Sequence, residues 1–216
     1  MKYLKLQQII DGLDIKPKRP LMISSDITRL WAEYRKVHGT FSPRELIEAL
    51  KQKVTKEGTL IFPTYSWDFC HGEGFHYFHT VPRTGGLGRV ALSMEGFRRT
   101  RHPMYSFAVW GKDADKLYEM TNRSSFGKDS PFHYMNIEKV DHLMIDITFT
   151  KGYKFVHYVE ELVRVPYRYE KEFTDKYVDE NREETIRTYS MYVRDLDWNL
   201  QYTDAIEMLL DGTVRE

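Results

Sequence analysis

The sequence predicts an α/β fold in which one mixed sheet lies between helical layers. Strand-like and helix-like segments alternate along the 216 residues, an order that is typical of this class. The clearest segments are a helix over 43–56 and the buried strand that follows it over 59–62. A chain of this length can bury a sizeable core without disulfide bonds. We therefore expect a single domain over 1–216, whose C-terminal part, about 166–216, is peripheral.

The helix at 43–56 carries its own boundary signals. Ser42 is a good N-cap, Pro43 suits the first helical position, and Glu45 completes a capping box. Gly58 is expected to end the helix in a left-handed conformation. The remaining predicted elements are helices over 3–12, 85–97, 114–120 and 153–164, and strands over 21–23, 105–110 and 143–147.

Two further stretches complete the prediction. In the helix over 153–164, Val156, Val159 and Val163 are expected on one apolar face. Residues 168–187 are dense in charge, which predicts a surface location. No clear closing element follows Gly212, so the sequence leaves open whether the C-terminus is complete.

The composition excludes several classes of protein. The 32 basic and 32 acidic residues give a formal net charge of zero, whereas general nucleic-acid binding needs a basic excess. No apolar run approaches the roughly 20 residues that span a bilayer, and the N-terminus lacks the cleavage site of a signal peptide. Cys70 is the only cysteine, so disulfides do not stabilise the chain. We therefore expect a cytoplasmic protein that binds neither nucleic acid nor membrane.

His157 and Glu160 form the first candidate for chemistry. On a helix, positions i and i+3 share a face. A carboxylate beside an imidazole fixes its tautomer and stabilises its charged form, which suits a general base. The spacing alone also fits a half-buried polar pair on a surface helix, so both interpretations stay open.

A histidine and a glycine turn are the next candidates. Pro103 favours an extended conformation for His102 at the entry to a strand, and strand ends in α/β folds are where ligands bind. The glycines after Thr84 allow backbone N–H groups to approach a phosphate or a carbonyl. Their spacing matches neither a dinucleotide-binding fingerprint nor a P-loop. A strand-edge histidine and a flexible turn remain the alternatives.

The loop over 63–84 is long and rich in aromatic residues, and loops of this length are usually functional. His71, His76 and His79 could bind zinc, or they could face solvent. Cys70 could act as a nucleophile or as a buried structural thiol. We expect no metal site here.

Several short motifs occur in a fixed order over residues 20–165. They are Ser24-Ser25 after the first strand, the segment Gly58 to Ser66, the turn Pro82 to Gly86, Arg101-His102-Pro103 with Ser106, Phe126-Gly127 with Ser130-Pro131, and His157-x-x-Glu160. Together they resemble the aminoglycoside 3-N-acetyltransferase family, which is unrelated to the common GNAT acetyltransferases. The chain departs from the family pattern at Phe155-Val156, where the family has Asn-Thr, at Val81-Pro82-Arg83, where it has Thr-Pro-Ser, and at Gly85, where it has Met.

The resemblance implies an acetyl-CoA-dependent N-acetyltransferase. His157 would take a proton from the acceptor amine and Glu160 would orient it, while His102 would shape the site or donate to the thioester oxygen. The residues implied to bind acetyl-CoA are Ser24, Ser25, Thr84, Gly85, Gly86 and Ser106. Direct transfer within a ternary complex is favoured, because no activated Ser or Cys is evident beside the base.

The acceptor is predicted to be the primary amine of an amino sugar. An aminoglycoside and a nucleotide-linked amino sugar both fit, and the neutral charge and the aromatic loop favour the second. The partners expected are this acceptor and coenzyme A, together with a second copy in a homodimer. Two rival functions stay open: a metal-dependent hydrolase built on the loop histidines and the His157/Glu160 pair, and a non-catalytic sugar-binding module.

Overall fold

The computed structural model describes residues 4–198. The helices are α1 (Leu6–Asp11), α2 (Thr28–His38), α3 (Pro43–Val54), α4 (Gly86–Leu92), α5 (Ala114–Tyr118), α6 (Pro131–Ile137), α7 (Phe149–Gly152) and α8 (Val156–Leu162). The strands are β1 (Pro20–Ser25), β2 (Thr59–Pro63), β3 (Phe75–His76), β4 (Arg98–Arg99), β5 (Phe107–Gly111), β6 (Asp141–Ile145), β7 (Arg168–Val178) and β8 (Glu184–Arg194). A short 3-10 turn spans Asp68–His71.

The main sheet has the strand order β4-β5-β2-β1-β6. Strand β1 is parallel to both β2 and β6, whereas β5 is antiparallel to β2 and β4. The sheet is therefore mixed, and the predicted α/β class is confirmed. The ends of the two parallel neighbours β1 and β6 meet at one edge, where α/β proteins bind ligands.

Alternating residues of the central strands divide the core into two layers, because successive side chains of a strand point to opposite faces. Leu60 and Phe62 of β2 join the layer that holds α1, α3 and α4. Ile61, between them, joins the opposite layer with α5, α6, Tyr158 of α8 and the tyrosines of β7 and β8. Both faces of the main sheet are thus covered.

A second sheet with the order β3-β7-β8 covers part of the opposite layer. Strands β7 and β8 form a long antiparallel hairpin, and β7 also pairs in parallel with β3 through Phe75 and Tyr177. The sequence prediction had no strands in this region. Most of β7 is exposed, as the charge density predicted, but Tyr177 is completely buried.

The capping of α3 is partly as predicted. Ser42 Oγ accepts a hydrogen bond from the Glu45 amide at 3.3 Å, and Pro43 begins the helix. The prediction for Gly58 is wrong, because α3 ends at Val54 and Thr55 takes the positive φ of 65°. Gly58 is required for space instead, since a Cβ there would lie 2.7 Å from the Arg19 carbonyl oxygen.

Helix α8 is shorter than predicted, and a different face of it points towards the core. The predicted apolar face does not point at the core: Val156, Val159 and Val163 are 39%, 41% and 62% exposed. The buried residues of α8 are Tyr158 and Glu160 instead. A carboxylate at a buried position requires polar partners, and these partners define the candidate site.

Other differences concern boundaries and missed elements. Helix α4 ends at Leu92 rather than near 97, and α2, α6 and α7 were not predicted. None of the helices between residues 4 and 198 is long and apolar enough to cross a bilayer. The expectation about the end of the chain concerns 199–216, which lie outside the described residues.

Candidate functional site

His157 and Glu160 are brought together by one turn of α8, as their spacing predicts. His157 Nδ1 lies 2.7 Å from Glu160 Oε2. We assign the proton to Nδ1, because this contact with a carboxylate is shorter than the 3.1 Å contact with the Arg168 guanidinium. The Nε2 lone pair is then available as a base.

Two residues from the start of the hairpin complete this cluster. Arg168 Nε lies 2.7 Å from Glu160 Oε2 in an ion pair with little solvent access. The Tyr167 hydroxyl donates to Glu160 Oε1 at 3.1 Å. Arg168 is fixed in turn by a 3.0 Å hydrogen bond from Nη1 to the Tyr192 carbonyl of β8. Both carboxylate oxygens of Glu160 therefore have partners, which explains why the carboxylate can be buried.

The cluster shifts the pKa values of both members of the pair. Burial lowers the pKa of His157, and although Glu160 raises it, the positive charge of Arg168 lowers it further. For Glu160, burial acts to raise the pKa, but His157 and Arg168 outweigh it and the net shift is downward. His157 is therefore neutral and Glu160 ionised near neutral pH, which is the arrangement of a general base and its orienting group.

Phe126 forms an aromatic wall beside the base. Its ring centroid lies 5.5 Å from that of His157, and its ring also packs on Phe132 at 5.1 Å. Ser130 begins α6 as its N-cap by accepting from the His133 amide. The Phe-Gly and Ser-Pro motif thus shapes one side of the site.

A cavity of about 360 Å³ opens at the ends of β1 and β6. Its lining includes five of the residues implied to bind acetyl-CoA, together with the start of α2, Tyr65 and two lysines near α7. The lining residues are Ile23, Ser24, Ser25, Asp26, Ile27, Thr28, Pro63, Tyr65, Thr84, Gly85, Gly86, Gly88, Ile147, Lys151, Gly152 and Lys154. We refer to it as the Ser24 pocket.

Hydrogen bonds hold the walls of the Ser24 pocket together. Ser24 Oγ donates to the Gly152 carbonyl at 3.0 Å, which ties β1 to the end of α7. His142 Nε2 lies 2.9 Å from Ser24 Oγ. Thr84 Oγ1 accepts from the Tyr65 amide at 3.1 Å. These contacts fix the turn and the strand end that face each other across the pocket.

The glycine turn is built for close backbone approach. Gly85 has a φ of 66°, which L side chains rarely adopt. A Cβ on Gly88 would lie 2.2 Å from the Pro63 carbonyl oxygen, so α4 can pack on β2 only without a side chain there. Gly86 is different, because its Cβ would make only ordinary contacts with Ile27.

Lys154 connects the Ser24 pocket with the base. It lines the pocket and precedes His157 by three residues. Burial lowers the pKa of Lys154, and Arg168 lowers it further. Lys154 and Arg168 also both lower the pKa of His157. Two positive groups, Lys154 and Arg168, therefore lie near the base and are opposed by the carboxylate of Glu160.

Ser106 and His102 lie elsewhere. Ser106 is fully buried and its Oγ is bonded to Thr64 and Arg99. His102 is 2% exposed, and its Nδ1 accepts from the Met104 and Tyr105 amides. Neither residue lines the Ser24 pocket. Burial lowers the pKa of His102 to about 3, so the ring is neutral.

The aromatic loop offers no obvious catalytic group. The rings of His76 and His79 lie 4.2 Å apart on the surface. Across residues 4–198, no cluster of three or more His, Cys, Asp or Glu side chains is placed to hold a metal ion. Burial raises the pKa of the Cys70 thiol to about 11, so it is not an activated nucleophile. The arrangement does not favour the hydrolase alternative.

A second cavity, of about 410 Å³, lies on the other side of α8 beside Phe126. Its charged lining consists of Glu161, Glu170, Lys128 and Arg164, which balance one another. Ser124 Oγ donates to Glu161 at 2.9 Å, and burial raises the pKa of Glu161.

Comparison with known proteins decides the family. The family model for aminoglycoside 3-N-acetyltransferase matches residues 18–212. The chain belongs to the aminoglycoside 3-N-acetyltransferase family. This membership confirms the resemblance drawn from the sequence motifs.

One curated relative of this chain in the family is known from Bacillus subtilis, and its sequence is distant. The SPbeta prophage-derived aminoglycoside N(3')-acetyltransferase-like protein YokD of Bacillus subtilis (strain 168) is 27% identical over 147 residues, which cover 57% of this chain and 53% of YokD. The match thus spans about half the length of that curated relative.

Solved structures of the family share the fold. A structure described as AAC-IIIb binary with CoASH has a TM-score of 0.74 at 17% identity, covering 96% of this chain and 84% of the other. A structure of AAC-VIa bound to sisomicin has a TM-score of 0.71 at 18% identity, covering 87% and 74%. At this identity the likeness establishes the fold alone.

Proposed function

We propose that this protein is an acetyl-CoA-dependent N-acetyltransferase that acetylates the primary amine of an amino sugar. One observation carries the proposal: the neutral base His157 is held by Glu160 and Arg168, and Lys154, which lines the Ser24 pocket, is close enough to lower the pKa of His157. A general base beside a pocket of this size is what amine acylation requires.

The residues present fit an extended, phosphate-bearing donor. Backbone groups at Gly85 and Gly86 are exposed to the pocket, and Lys151 and Lys154 supply positive charge. Sites for drug-sized ligands run from roughly 300 to 1,000 Å³, so a cavity of about 360 Å³ suits the acyl-bearing arm of coenzyme A rather than the whole molecule. The structural neighbour AAC-IIIb is described as a binary complex with CoASH, which supports this donor.

The chain's own residues then have defined roles. His157 Nε2 takes the proton that the acceptor amine loses, and the ionised Glu160 stabilises the imidazolium that results. Arg168 and Tyr167 keep Glu160 in place. When bound, acetyl-CoA supplies the acetyl group as a thioester; the amine nitrogen bonds to the carbonyl carbon, the carbon–sulfur bond breaks, and His157 returns its proton to the sulfur.

The charges around the base favour an anionic or neutral acceptor. Lys154 and Arg168 place two positive groups near His157 against the single carboxylate of Glu160, and the charges of the second cavity balance. A polycationic drug would gain little from either. We therefore propose a nucleotide-linked amino sugar as the preferred acceptor, with aminoglycosides such as sisomicin, which AAC-VIa binds, as the competing class.

The test is acetyl-CoA turnover followed as free thiol release, with a panel of nucleotide-linked amino sugars and aminoglycosides. Thiol release that depends on an amine acceptor and is lost in His157→Ala is the expected result. Absence of turnover with every amine would contradict the acetyltransferase assignment. The cytoplasmic location and the homodimer stay predictions.

Acceptor preference is measured separately, by competing the two classes at equal concentration. The nucleotide-linked sugar should be consumed first, because its diphosphate matches the positive surroundings of the base. Preferential acetylation of the aminoglycoside would refute the charge argument and leave the N-acetyltransferase assignment standing.

A further inference from the structure

Tyr65 is a tyrosine that lines the Ser24 pocket, and its hydroxyl has no hydrogen-bond partner among residues 4–198. The side chain is 2% exposed. Its Oη is buried and makes no hydrogen bond within the part of the chain that the structure describes. An unpaired buried hydroxyl costs stability, so native proteins usually satisfy such groups.

Other buried tyrosines of this protein follow that rule. Their hydroxyl groups bond to carbonyl, carboxylate or imidazole groups at 2.7–2.9 Å, as seen for Tyr77, Tyr134, Tyr158, Tyr177 and Tyr192. Tyr65 therefore differs from these tyrosines, and it is also the one of them that lines the Ser24 pocket.

The position of Tyr65 is fixed independently of its hydroxyl. Its amide donates to Thr84 Oγ1 at 3.1 Å and its carbonyl accepts from the Arg83 amide at 2.8 Å. Its ring packs edge-on against Phe107 with centroids 5.3 Å apart. The hydroxyl is thus held in place by contacts that do not use it, which is the preorganisation expected of a catalytic donor.

A continuous row of rings joins Tyr65 to the base. The centroids of Tyr65 and Tyr105 lie 4.7 Å apart, those of Tyr105 and Phe126 lie 4.7 Å apart, and those of Phe126 and His157 lie 5.5 Å apart. Tyr65 also lines the Ser24 pocket itself. Tyr65 therefore contacts both the pocket and the row of rings that ends at His157.

We propose that the Tyr65 hydroxyl donates a hydrogen bond to the carbonyl oxygen of the acetyl thioester and stabilises the negative charge that develops there during transfer. This role rests on the proposed function. The hydroxyl donates without losing its proton, because burial raises its pKa well above that of an ordinary tyrosine. His102, which the resemblance offered for this task, does not line the pocket.

Tyr65→Phe tests the proposal, because it removes the oxygen and keeps the ring. We expect kcat to fall by roughly 10²-fold, as for loss of one oxyanion donor. The melting temperature should stay unchanged or rise, because no protein hydrogen bond is lost. In calorimetry without acceptor, acetyl-CoA should bind about fivefold more weakly to the variant, whereas CoA, which lacks the carbonyl, should bind equally to both proteins.

Tyr177→Phe is the matched control. Its hydroxyl donates to the Arg101 carbonyl at 2.7 Å, so its loss should lower the melting temperature by roughly 2–4 °C and leave kcat nearly unchanged. Wild-type kcat in Tyr65→Phe, or a melting temperature lowered as much as in Tyr177→Phe, would overturn the proposal. If the wild-type protein binds neither acetyl-CoA nor CoA, the proposed function fails first.

Discussion

The two halves of the candidate site, the Ser24 pocket and the cluster around His157, are formed by different parts of the polypeptide. The Ser24 pocket is formed by strand ends, small side chains and a glycine turn, so its shape depends mainly on the backbone. The base cluster is formed by the imidazole of His157 and the charged side chains of Glu160 and Arg168, which hold one another by direct contacts. A substitution in the pocket should therefore change how the donor fits, whereas one in the cluster should change the reaction itself.

Removal of the base gives the largest expected effect. His157→Ala should lower kcat by 10²–10⁴-fold, which is the typical contribution of a positioned base. CoA binding measured by calorimetry should persist, because the pocket does not depend on the imidazole. His79→Ala, an exposed histidine of the aromatic loop, is the control and should keep full activity. A folded His157→Ala protein with near-normal kcat would remove this residue from the mechanism.

A change in the pocket should act on affinity. Gly86→Val places a branched side chain beside Ile27 without a backbone clash, so the protein should fold while the pocket narrows. We expect the KM for acetyl-CoA to rise about tenfold, at the lower end of overpacking costs, with kcat less affected. Steady-state kinetics and a melting curve measure both. An unchanged KM would place the donor away from this turn.

Loss of the guanidinium should act on the pH profile. Arg168 lowers the pKa of His157, so Arg168→Gln should raise it. The base acts only when neutral, that is, above its pKa, so the acid limb of the kcat/KM profile should move to higher pH in the variant. In the wild type that limb should lie below the ordinary histidine value of about 6.5.

Lys171→Gln, which removes an exposed cation from the same strand, is the control for Arg168→Gln. Its acid limb should coincide with that of the wild type. Identical profiles for Arg168→Gln and the wild type would show that the guanidinium does not tune the base.

The smallest effect is expected on the outer face of α8. Val159 is 41% exposed, so Val159→Thr should change the free energy of unfolding by no more than about 0.5 kcal/mol. Chemical denaturation measures this. A loss above about 2 kcal/mol would mean that the valine face packs against a partner surface, as a buried apolar face would.

From the sequence we could name more of the residues that line the Ser24 pocket than of those that surround His157, for physical reasons. Short-range signals place strand ends, caps and glycine turns, so Ser24 and Thr84 could be brought together by topology and family order. The contact between Arg168 and Glu160 depends on how the chain turns after α8. The periodicity of apolar residues along the sequence does not predict such a turn. The valines of α8 were misleading because their spacing fits a buried face, whereas the buried positions hold Tyr158 and the ion-paired Glu160.

Strand β7 joins the base cluster to the hydrophobic core. Arg168 at its start contacts Glu160, and Tyr177 near its end is buried in the core and pairs with Phe75 of β3. Because side chains alternate along a strand, a slip of one residue in the hairpin would turn both to the wrong face at once. A misregistered hairpin would therefore disrupt both the core and the support of the base. The site can form only in molecules whose hairpin has folded in the correct register.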